Sequence, residues 1–351
     1  MRSRTGNSRK CGGGSKRRFR FVHTYEDIIC VENLLEAWVE FVRGKRNKKD
    51  VQEFRLHLMD HILALHTDLK NKTYRHGTYY HFRISDPKPR DIHKATVRDR
   101  LLHHALYRKL YPFFDPKFVS DSYSCRLGKG THKAMDRFRT FARRMSQNRT
   151  RTCWVLKCDI RKFFASIDQG VLFEILERHI PDQGTLWLLR QVVESFYSTW
   201  PGKGLPLGNL TSQLLVNVYM NEFDQWVKHT LKAKCYIRYA DDFVFLSQSR
   251  NDLEHICRYI GMFLQEKLHL QLHPNKVSIE TLASGVDFLG WVHFPDHRVL
   301  RTSTKRRMLK RVRGLEQEDP AVQSYMGMLR HGNAWKLRSF TSRSVVKKHS
   351  A

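Results

Sequence analysis

Two adjacent aspartates, Asp241 and Asp242, stand between two short, mainly apolar runs, residues 237–239 and 243–246. The runs are rich in Ile, Val, Phe and Tyr, which favour β-strands, so the pair is predicted at the tip of a tight hairpin. Carboxylates at such a tip can bind a divalent cation. An isolated Asp-Asp pair is also typical of an ordinary turn, and the choice depends on the other acidic residues of the chain.

A third carboxylate, Asp159, ends another apolar run, residues 154–158, which predicts a strand. Burying an acid at the end of a strand is costly unless a positive charge meets it. A cation shared with Asp241 would supply that charge, and pairing with Arg161 or Lys162 is the alternative. Two metal ions about 4 Å apart, bridged by carboxylates from two strands, can activate a 3′-hydroxyl and stabilise a leaving pyrophosphate in nucleotidyl transfer.

A glycine-containing segment, residues 204–213, precedes apolar residues at helical spacing. The pattern predicts an amphipathic helix entered through a Gly-Asn turn, with Asn209 or Thr211 as its N-cap. Gly208 at this entrance would let the backbone approach a ligand closely. A second such segment, residues 121–134, is basic and predicts either a phosphate-binding loop or a plain connection into a helix.

The charge of the chain indicates its class of partner. Lys and Arg number 63 against 34 acidic residues, a formal charge of +29, and the pI is near 10.1. This excess predicts binding to nucleic acid with steep salt dependence. The seven scattered cysteines form no C-x-x-C pair, and neither a signal peptide nor a membrane-spanning run is evident. We therefore expect a cytoplasmic protein without membrane contact.

The elements that would position these residues follow from composition and periodicity. Residues 1–18 are basic and contain several Gly and Ser, which predicts a flexible tail. Residues 25–70 predict two amphipathic helices, residues 78–84 short strands, and residues 97–110 a further helix. Apolar residues make up 41% of the chain, enough for a globular core.

In this order the elements resemble the sequence blocks of reverse transcriptases from prokaryotic retroelements, over about residues 25–337. Asp159 matches the first catalytic aspartate of that family, and residues 239–242 match its Y-x-D-D box. The resemblance implies RNA-templated DNA synthesis and an α+β, right-hand polymerase fold. Its implied parts are N-terminal helices and fingers (19–150), a palm of antiparallel strands and helices interleaved with the fingers (151–295), and a short basic helical thumb (296–351).

The same resemblance implies roles for individual residues. Asp159, Asp241 and Asp242 would be catalytic, and Phe164 would be the aromatic gate that rejects a 2′-hydroxyl. Two Mg²⁺ ions, with Mn²⁺ as the alternative, would be held by Asp159, the backbone carbonyl of Ile160 and Asp241, with Asp242 alongside.

The other residues implied by the resemblance contact the nucleotide or the primer. Lys276 would lie near the leaving pyrophosphate. The primer end would be held by a turn that is also apolar enough to be simple core, namely Phe288, Leu289, Gly290 and Trp291. The further implied nucleotide contacts are Arg83, Arg90, Lys94, Leu207, Gly208 and Gln213.

Residues 207–213 form the segment that distinguishes subgroups of the family. Group II intron and retroviral enzymes usually show Gln-Gly here and end in Ser-Pro, whereas those of diversity-generating retroelements show an aliphatic residue before the Gly and end in Ser-Gln. This chain has Leu207 and Gln213, and it also resembles the second group at residues 86–95 and 324–333. In that group, cDNA copied from a template-repeat RNA carries errors mainly at adenines and diversifies a target gene. Leu207 would remove a hydrogen bond beside the templating pair and so weaken discrimination.

The implied partners are a structured template RNA, the RNA/cDNA duplex, deoxynucleoside triphosphates and a small oligomeric accessory variability protein. The alternatives are a group II-like, retron or phage-defence reverse transcriptase and, in another class, a non-catalytic RNA-binding factor on a polymerase fold. The three intact aspartates argue against the last. Only 60 residues follow Trp291, which favours a thumb beginning near residues 304–307 over a maturase domain together with a Cys/His endonuclease.

Overall fold

The computed structural model describes residues 20–85 and 89–344. The predicted tail at residues 1–18 and positions 86–88 of the resemblance lie outside the described residues. Within them the chain combines helices with antiparallel strand pairs, so the predicted α+β class is confirmed. No helix in this part of the chain is long and apolar enough to cross a membrane.

The N-terminal region contains four helices, so the prediction of two was wrong. They are α1 (Tyr25–Ile29), α2 (Val31–Phe41), α3 (Lys49–Leu56) and α4 (Leu58–Lys70). Cys30 (ψ 147°) interrupts the first pair and His57 (φ −122°, ψ 42°) the second. The apolar spacing hides these breaks because each short helix buries residues in the same core, among them Ile28, Leu34 and Ile62.

A two-stranded hairpin follows, made of β1 (Tyr80–Ile84) and β2 (Arg90–Lys94). Helix α5 (Val97–Phe114) comes next and continues four residues beyond its predicted end. It begins where the Thr96 hydroxyl accepts a hydrogen bond from the amide of Asp99. The buried face of α5 packs against α2 and joins the same core.

The central region alternates helices with the strands of one antiparallel sheet. Its elements are α6 (Thr131–Met145), β3 (Trp154–Cys158), α7 (Phe163–Ser166), α8 (Gln169–Glu177), α9 (Gln183–Val193), α10 (Leu210–His229), β4 (Tyr236–Tyr239), β5 (Asp242–Ser247), α11 (Arg250–Leu268) and β6 (Ser278–Thr281). The strand order in the sheet is β4-β5-β3-β6. Side chains alternate between its two faces, so that Leu156 and Phe243 lie in the core with α10 and α11, and Val155 and Val244 pack with α6.

The C-terminal elements form a small core of their own around Trp291, Met308, Val322 and Leu329. A three-stranded antiparallel sheet leads into three helices, the first of which begins two residues before the predicted residue 304. The elements are β7 (Val286–Phe288), β8 (Trp291–His293), β9 (Arg298–Leu300), α12 (Thr302–Val312), α13 (Pro320–Leu329) and α14 (Trp335–Ser344).

Candidate active site

The predicted hairpin around the paired aspartates is present. Strands β4 and β5 pair with Tyr239 opposite Asp242, and Ala240 (φ +56°) and Asp241 form the turn. Burial, followed by the charges of Asp242 and Asp159, raises the pKa of Asp241 to about 6, while Lys276 acts in the opposite direction. The Asp241 carboxylate is therefore close enough to Asp242 and to Asp159 to be repelled by both.

Asp159 directly follows β3, which lies beside β5 in the sheet. The residue is 7% exposed. Its carboxylate accepts a hydrogen bond of 2.9 Å from the Lys276 ammonium, so among the described residues the cation that meets it is Lys276 rather than Arg161 or Lys162. This interaction brings together two predicted site residues that are 117 positions apart.

Residues 271–273 hold the backbone on either side of Ile160 through two hydrogen bonds. The Asp159 carbonyl accepts a hydrogen bond from the His273 amide (2.8 Å), and the Arg161 amide donates to the Gln271 carbonyl (2.9 Å). Neither bond uses the Ile160 carbonyl, because successive carbonyls of an extended chain point to opposite sides. The Ile160 carbonyl therefore points to the side away from Gln271.

The aspartates fit a divalent cation, although they are not a preassembled metal cluster. In the described part of the chain, no group of three or more His, Cys, Asp or Glu residues is close enough to hold a metal ion. Burial and the neighbouring charges of Asp242 and Asp159 raise the pKa of Asp241, and the Lys276 ammonium lies 2.9 Å from the Asp159 carboxylate. Hard carboxylate oxygens of this kind suit Mg²⁺ or Mn²⁺.

A fully buried ion pair that the sequence motifs did not indicate lies beneath the hairpin. Arg238 and Asp224 are both 0% exposed and form a bidentate pair, with Nε to Oδ1 at 2.8 Å and Nη2 to Oδ2 at 2.7 Å. Arg238 Nη1 also donates to the Ala240 carbonyl at 3.1 Å. The available signal was a lone arginine in the apolar strand β4. Arg238 thus holds the turn that carries Asp241.

The entrance to α10 is attached to the β1–β2 hairpin. The His93 amide donates to the Leu207 carbonyl (3.1 Å), and Asn209 Nδ2 donates to the His93 carbonyl (3.2 Å). Asn209 is the N-cap residue, as predicted, although its side chain makes no capping bond. Gly208 adopts φ +113°, and a Cβ there would lie 3.0 Å from Ile92 Cγ2, which explains the glycine.

Phe164 lies in α7 and is half-buried against the main core. Its carbonyl accepts a hydrogen bond of 2.8 Å from the Leu205 amide. This bond joins the turn after Asp159 to the segment that contains Leu207. The structure therefore connects the proposed steric gate with the segment that distinguishes the subgroups.

The three cationic residues that are predicted to contact the nucleotide lie on the β1–β2 hairpin, but in different surroundings. Arg83 and Arg90 are exposed at the end of the hairpin where β1 finishes and β2 begins. Lys94 lies at the opposite end and forms an ion pair of 2.7 Å with Asp50. Lys94 is thereby drawn towards α3, so the structure does not group the three cations around one point.

The predicted primer-holding turn joins β7 and β8. Leu289 (φ +53°) and Gly290 (φ +85°) form a two-residue turn of the type that tight hairpins favour. Phe288 and Trp291 flank it and are 0% and 2% exposed. Phe288 and Trp291 are therefore core residues, which was the alternative to a primer-holding role, whereas the turn between them is only half-buried.

Comparison with known proteins agrees with this geometry. A family model described as reverse transcriptase (RNA-dependent DNA polymerase) matches residues 85–293. Protein YkfC of Escherichia coli K12 is 25% identical over 272 residues, which cover 67% of this chain and 69% of YkfC. The group II intron-encoded protein LtrA of Lactococcus lactis is 24% identical over 306 residues, which cover 66% of this chain and 49% of LtrA. The chain thus spans about half the length of LtrA.

A solved structure shows a similar fold. Telomerase from Candida albicans, in complex with a fragment of telomeric RNA, aligns with a TM-score of 0.50 and 10% identity over 80% of this chain and 57% of that one. At this identity the likeness concerns the fold alone. It agrees with the predicted right-hand polymerase architecture.

Proposed function

The chain belongs to the reverse transcriptase family of RNA-dependent DNA polymerases, and we propose that it copies a structured template-repeat RNA into cDNA with errors concentrated at adenines. The family match confirms the expectation of an RNA-directed DNA polymerase. The proposed subtype is that of a diversity-generating retroelement, in which the cDNA diversifies a target gene. Its proposed partners are the template RNA, the RNA/cDNA duplex, deoxynucleoside triphosphates and an oligomeric accessory variability protein.

The placement of Asp159 at the end of β3, beside the β4–β5 hairpin that carries Asp241 and Asp242, is the observation that carries the polymerase proposal. These side chains, with the Ile160 carbonyl, are the proposed ligands of two divalent cations. Such cations, when bound, would supply Lewis-acid chemistry by lowering the pKa of the primer 3′-hydroxyl and neutralising charge on the pyrophosphate. The protein contributes geometry, because the backbone bonds at Asp159 and the Arg238 bond at Ala240 fix both carboxylate-bearing segments.

Lys276 is proposed to act on the leaving group. Its ammonium contacts Asp159 at the candidate active site, and from there it could donate to pyrophosphate oxygens, where charge develops in the transition state. Phe164 is proposed to lie against the deoxyribose, where a 2′-hydroxyl would collide with its ring.

The subtype proposal is supported by Leu207. Its carbonyl is bonded to His93 and its side chain is half-buried, so its position beside the nucleotide would be fixed by the fingers hairpin. A leucine can offer neither a donor nor an acceptor to a base pair. Discrimination that depends on such a bond is worth a few kcal/mol, and its absence would admit mismatches.

A second function is favoured by the similarity to LtrA, which is a group II intron-encoded protein. A group II-like reverse transcriptase would use the same aspartates but copy RNA faithfully. The purified protein should therefore be given Mg²⁺ and a primed RNA of known sequence, and the cDNA errors sorted by template base. Errors concentrated at adenines support the mutagenic retroelement enzyme, whereas uniformly rare errors favour the group II-like function.

The role of Leu207 can be tested separately. Leu207→Gln should reduce errors at adenines by roughly tenfold or more, because the added amide can hydrogen-bond to the nascent pair. Leu127→Gln makes the same change at a residue that is 77% exposed and should leave the error spectrum unchanged. An adenine error rate that stays the same in Leu207→Gln would refute the proposed cause of infidelity.

A further inference from the structure

A cavity of about 380 Å³ lies at the junction of α6, the β8–β9 loop and the connection between α13 and α14. None of the three aspartates lines it, and neither does Phe164 or Lys276. The β8–β9 loop is at the other end of β8 from the proposed primer-holding turn. The cavity is therefore separate from the proposed catalytic centre.

The connection between α13 and α14 is held closely against the three-stranded sheet at this cavity. A Cβ atom at Gly332 would collide with the Trp291 ring, which explains the glycine. The Asn333 amide donates to the Arg298 carbonyl at 2.8 Å, and Arg298 Nε donates to the His331 carbonyl. The walls of the cavity are thus fixed by packing and by hydrogen bonds to the backbone.

The guanidinium of Arg298, which lines the cavity, is only partly satisfied by the protein. Its side chain is 13% exposed, and Nη2 lies 3.1 Å from the Asp136 carboxylate. Nη1 is buried and has no partner among the described residues. Buried donors of this kind normally have an acceptor, so Nη1 indicates an acceptor that comes from a ligand.

Two further arginines, Arg139 of α6 and Arg330 after α13, line the same cavity. Both are exposed, and neither forms an ion pair with an acid in the part of the chain that the structure describes. The described wall includes one carboxylate, Asp296, whose Oδ1 is already bonded to His297 Nδ1 at 2.6 Å. The positive charge of the arginines thus exceeds the negative charge of the wall and favours an anion.

We propose that this cavity binds a phosphate group, held by Arg139, Arg298 and Arg330. Guanidinium groups bind phosphate through paired N–H donors, and a phosphate oxygen is the kind of acceptor that Nη1 of Arg298 lacks. A carboxylate fits less well, because its two oxygens are matched by a single guanidinium, whereas phosphate offers more oxygens to three.

A bound phosphate would also connect two regions of the fold. Arg139 lies on α6, which packs against the central sheet, and Arg330 lies among the C-terminal helices. The phosphate would neutralise the repulsion between these cations and so hold the C-terminal helices at α6. Its source is either the backbone of RNA outside the primer–template duplex or free phosphate.

Isothermal titration of the full chain with inorganic phosphate, at an ionic strength kept constant with chloride, tests the proposal. Arg139→Gln and Arg330→Gln should each weaken binding by roughly tenfold or more, the loss expected for one hydrogen-bonded charge. Arg143→Gln is the matched control, since it removes the same charge from an exposed residue of α6 outside the cavity wall. It should leave the affinity for phosphate unchanged.

A short single-stranded RNA distinguishes the two sources of phosphate. If RNA supplies the group, Arg139→Gln should weaken RNA binding several-fold more than Arg143→Gln does, and inorganic phosphate should compete with the RNA. If free phosphate is the ligand, the two variants should bind RNA equally, and only Arg139→Gln should lose affinity for phosphate.

The inference is overturned if Arg139→Gln and Arg143→Gln behave alike towards both probes. It is also overturned if acetate binds as tightly as phosphate, because the site then takes a carboxylate. Arg330→Gln changes a different segment and gives an independent result, and thermal unfolding without phosphate shows whether each variant is folded. This inference goes beyond the proposed function, since binding is measured without cDNA synthesis and its failure leaves that function untouched.

Discussion

The ionised Asp241 carboxylate destabilises the folded protein, because burial and two neighbouring carboxylates oppose its charge. Its pKa is about 6 in the structure, above the ordinary value near 3.8, so the folded state binds the proton more tightly than the unfolded state does. The penalty on folding therefore grows as pH rises from about 4 to 6 and is complete above that range. A residue that reduces stability in this way is typical of a functional site.

Asp241→Asn should consequently separate stability from activity. The amide removes the repulsion with Asp242 and Asp159, so the free energy of unfolding at pH 7 should rise by about 1 kcal/mol in metal-free buffer. Synthesis of cDNA should fall by at least about a hundredfold, because a proposed metal ligand is lost. Chemical denaturation and single-turnover primer extension measure the two quantities.

The matched control is Asp296→Asn, which changes an exposed acid in the loop between β8 and β9. It should leave the rate of cDNA synthesis unchanged. The proposed metal site would be wrong if Asp241→Asn retained wild-type synthesis.

At the scale of elements, the catalytic hairpin depends on the Arg238–Asp224 pair that joins β4 to α10. Removing one partner of a buried, bonded pair leaves an uncompensated charge, so Arg238→Met should lower the free energy of unfolding by about 3–5 kcal/mol. Replacing both partners with apolar residues is often close to neutral. The double variant Arg238→Met with Asp224→Leu should therefore regain most of the lost stability, as measured by denaturant unfolding.

The activity of that double variant distinguishes a positioning role from a purely structural one. The Ala240 carbonyl loses its donor in both variants, so the turn that carries Asp241 is no longer held. Synthesis of cDNA should stay at least about tenfold below wild type even when stability is regained. Full recovery of kcat together with stability would show that Arg238 serves folding alone.

Asp168 holds the start of α8 and connects it to distant segments. Its Oδ1 accepts from the Val171 amide (3.1 Å), and its Oδ2 bonds to Lys203 Nζ (2.6 Å) and His269 Nδ1 (2.8 Å). Burial raises the pKa of Asp168, but the bonds from His269, Lys203 and Val171 outweigh it and lower that pKa to about 2. The folded state thus favours the carboxylate.

The stability that Asp168 contributes should therefore depend on pH. Because its folded pKa is depressed, the contribution is present above about pH 4 and is lost as pH falls towards 2. Asp168→Asn should cost about 1–2 kcal/mol at pH 7 and almost nothing near pH 2. Urea unfolding at a series of pH values measures this. A pH-independent cost at Asp168 would contradict the assignment.

The sequence predicted those parts of the site that depend on neighbours along the chain. The β4–β5 hairpin and the strand before Asp159 follow from local residue types, because alternation and β-branching act over a few residues. The Lys276–Asp159 bond spans 117 positions, and only the folded chain brings it together. The breaks at Cys30 and His57 were missed because burial in one core keeps the helical spacing across them.

At the scale of the whole molecule, part of the excess positive charge lies on one exposed face of α12. Its buried residues Thr304, Met308 and Val312 recur every four positions, so the opposite face is exposed. Lys305 and Arg306 lie on that face. A helix of this kind can bind a phosphate backbone without reading sequence.

Binding of an RNA–DNA duplex should therefore weaken steeply with salt, and α12 should account for part of the slope. The double variant Lys305→Ala with Arg306→Ala should reduce the slope of log K against log salt by roughly 1.5–2, since each lost phosphate contact removes slightly less than one unit. Filter binding across a salt series measures it. Lys232→Ala with Lys234→Ala removes the same charge from an exposed loop before β4 and should change the slope by less than half as much. Equal effects of the two pairs would mean that net charge, rather than contact at α12, governs duplex binding.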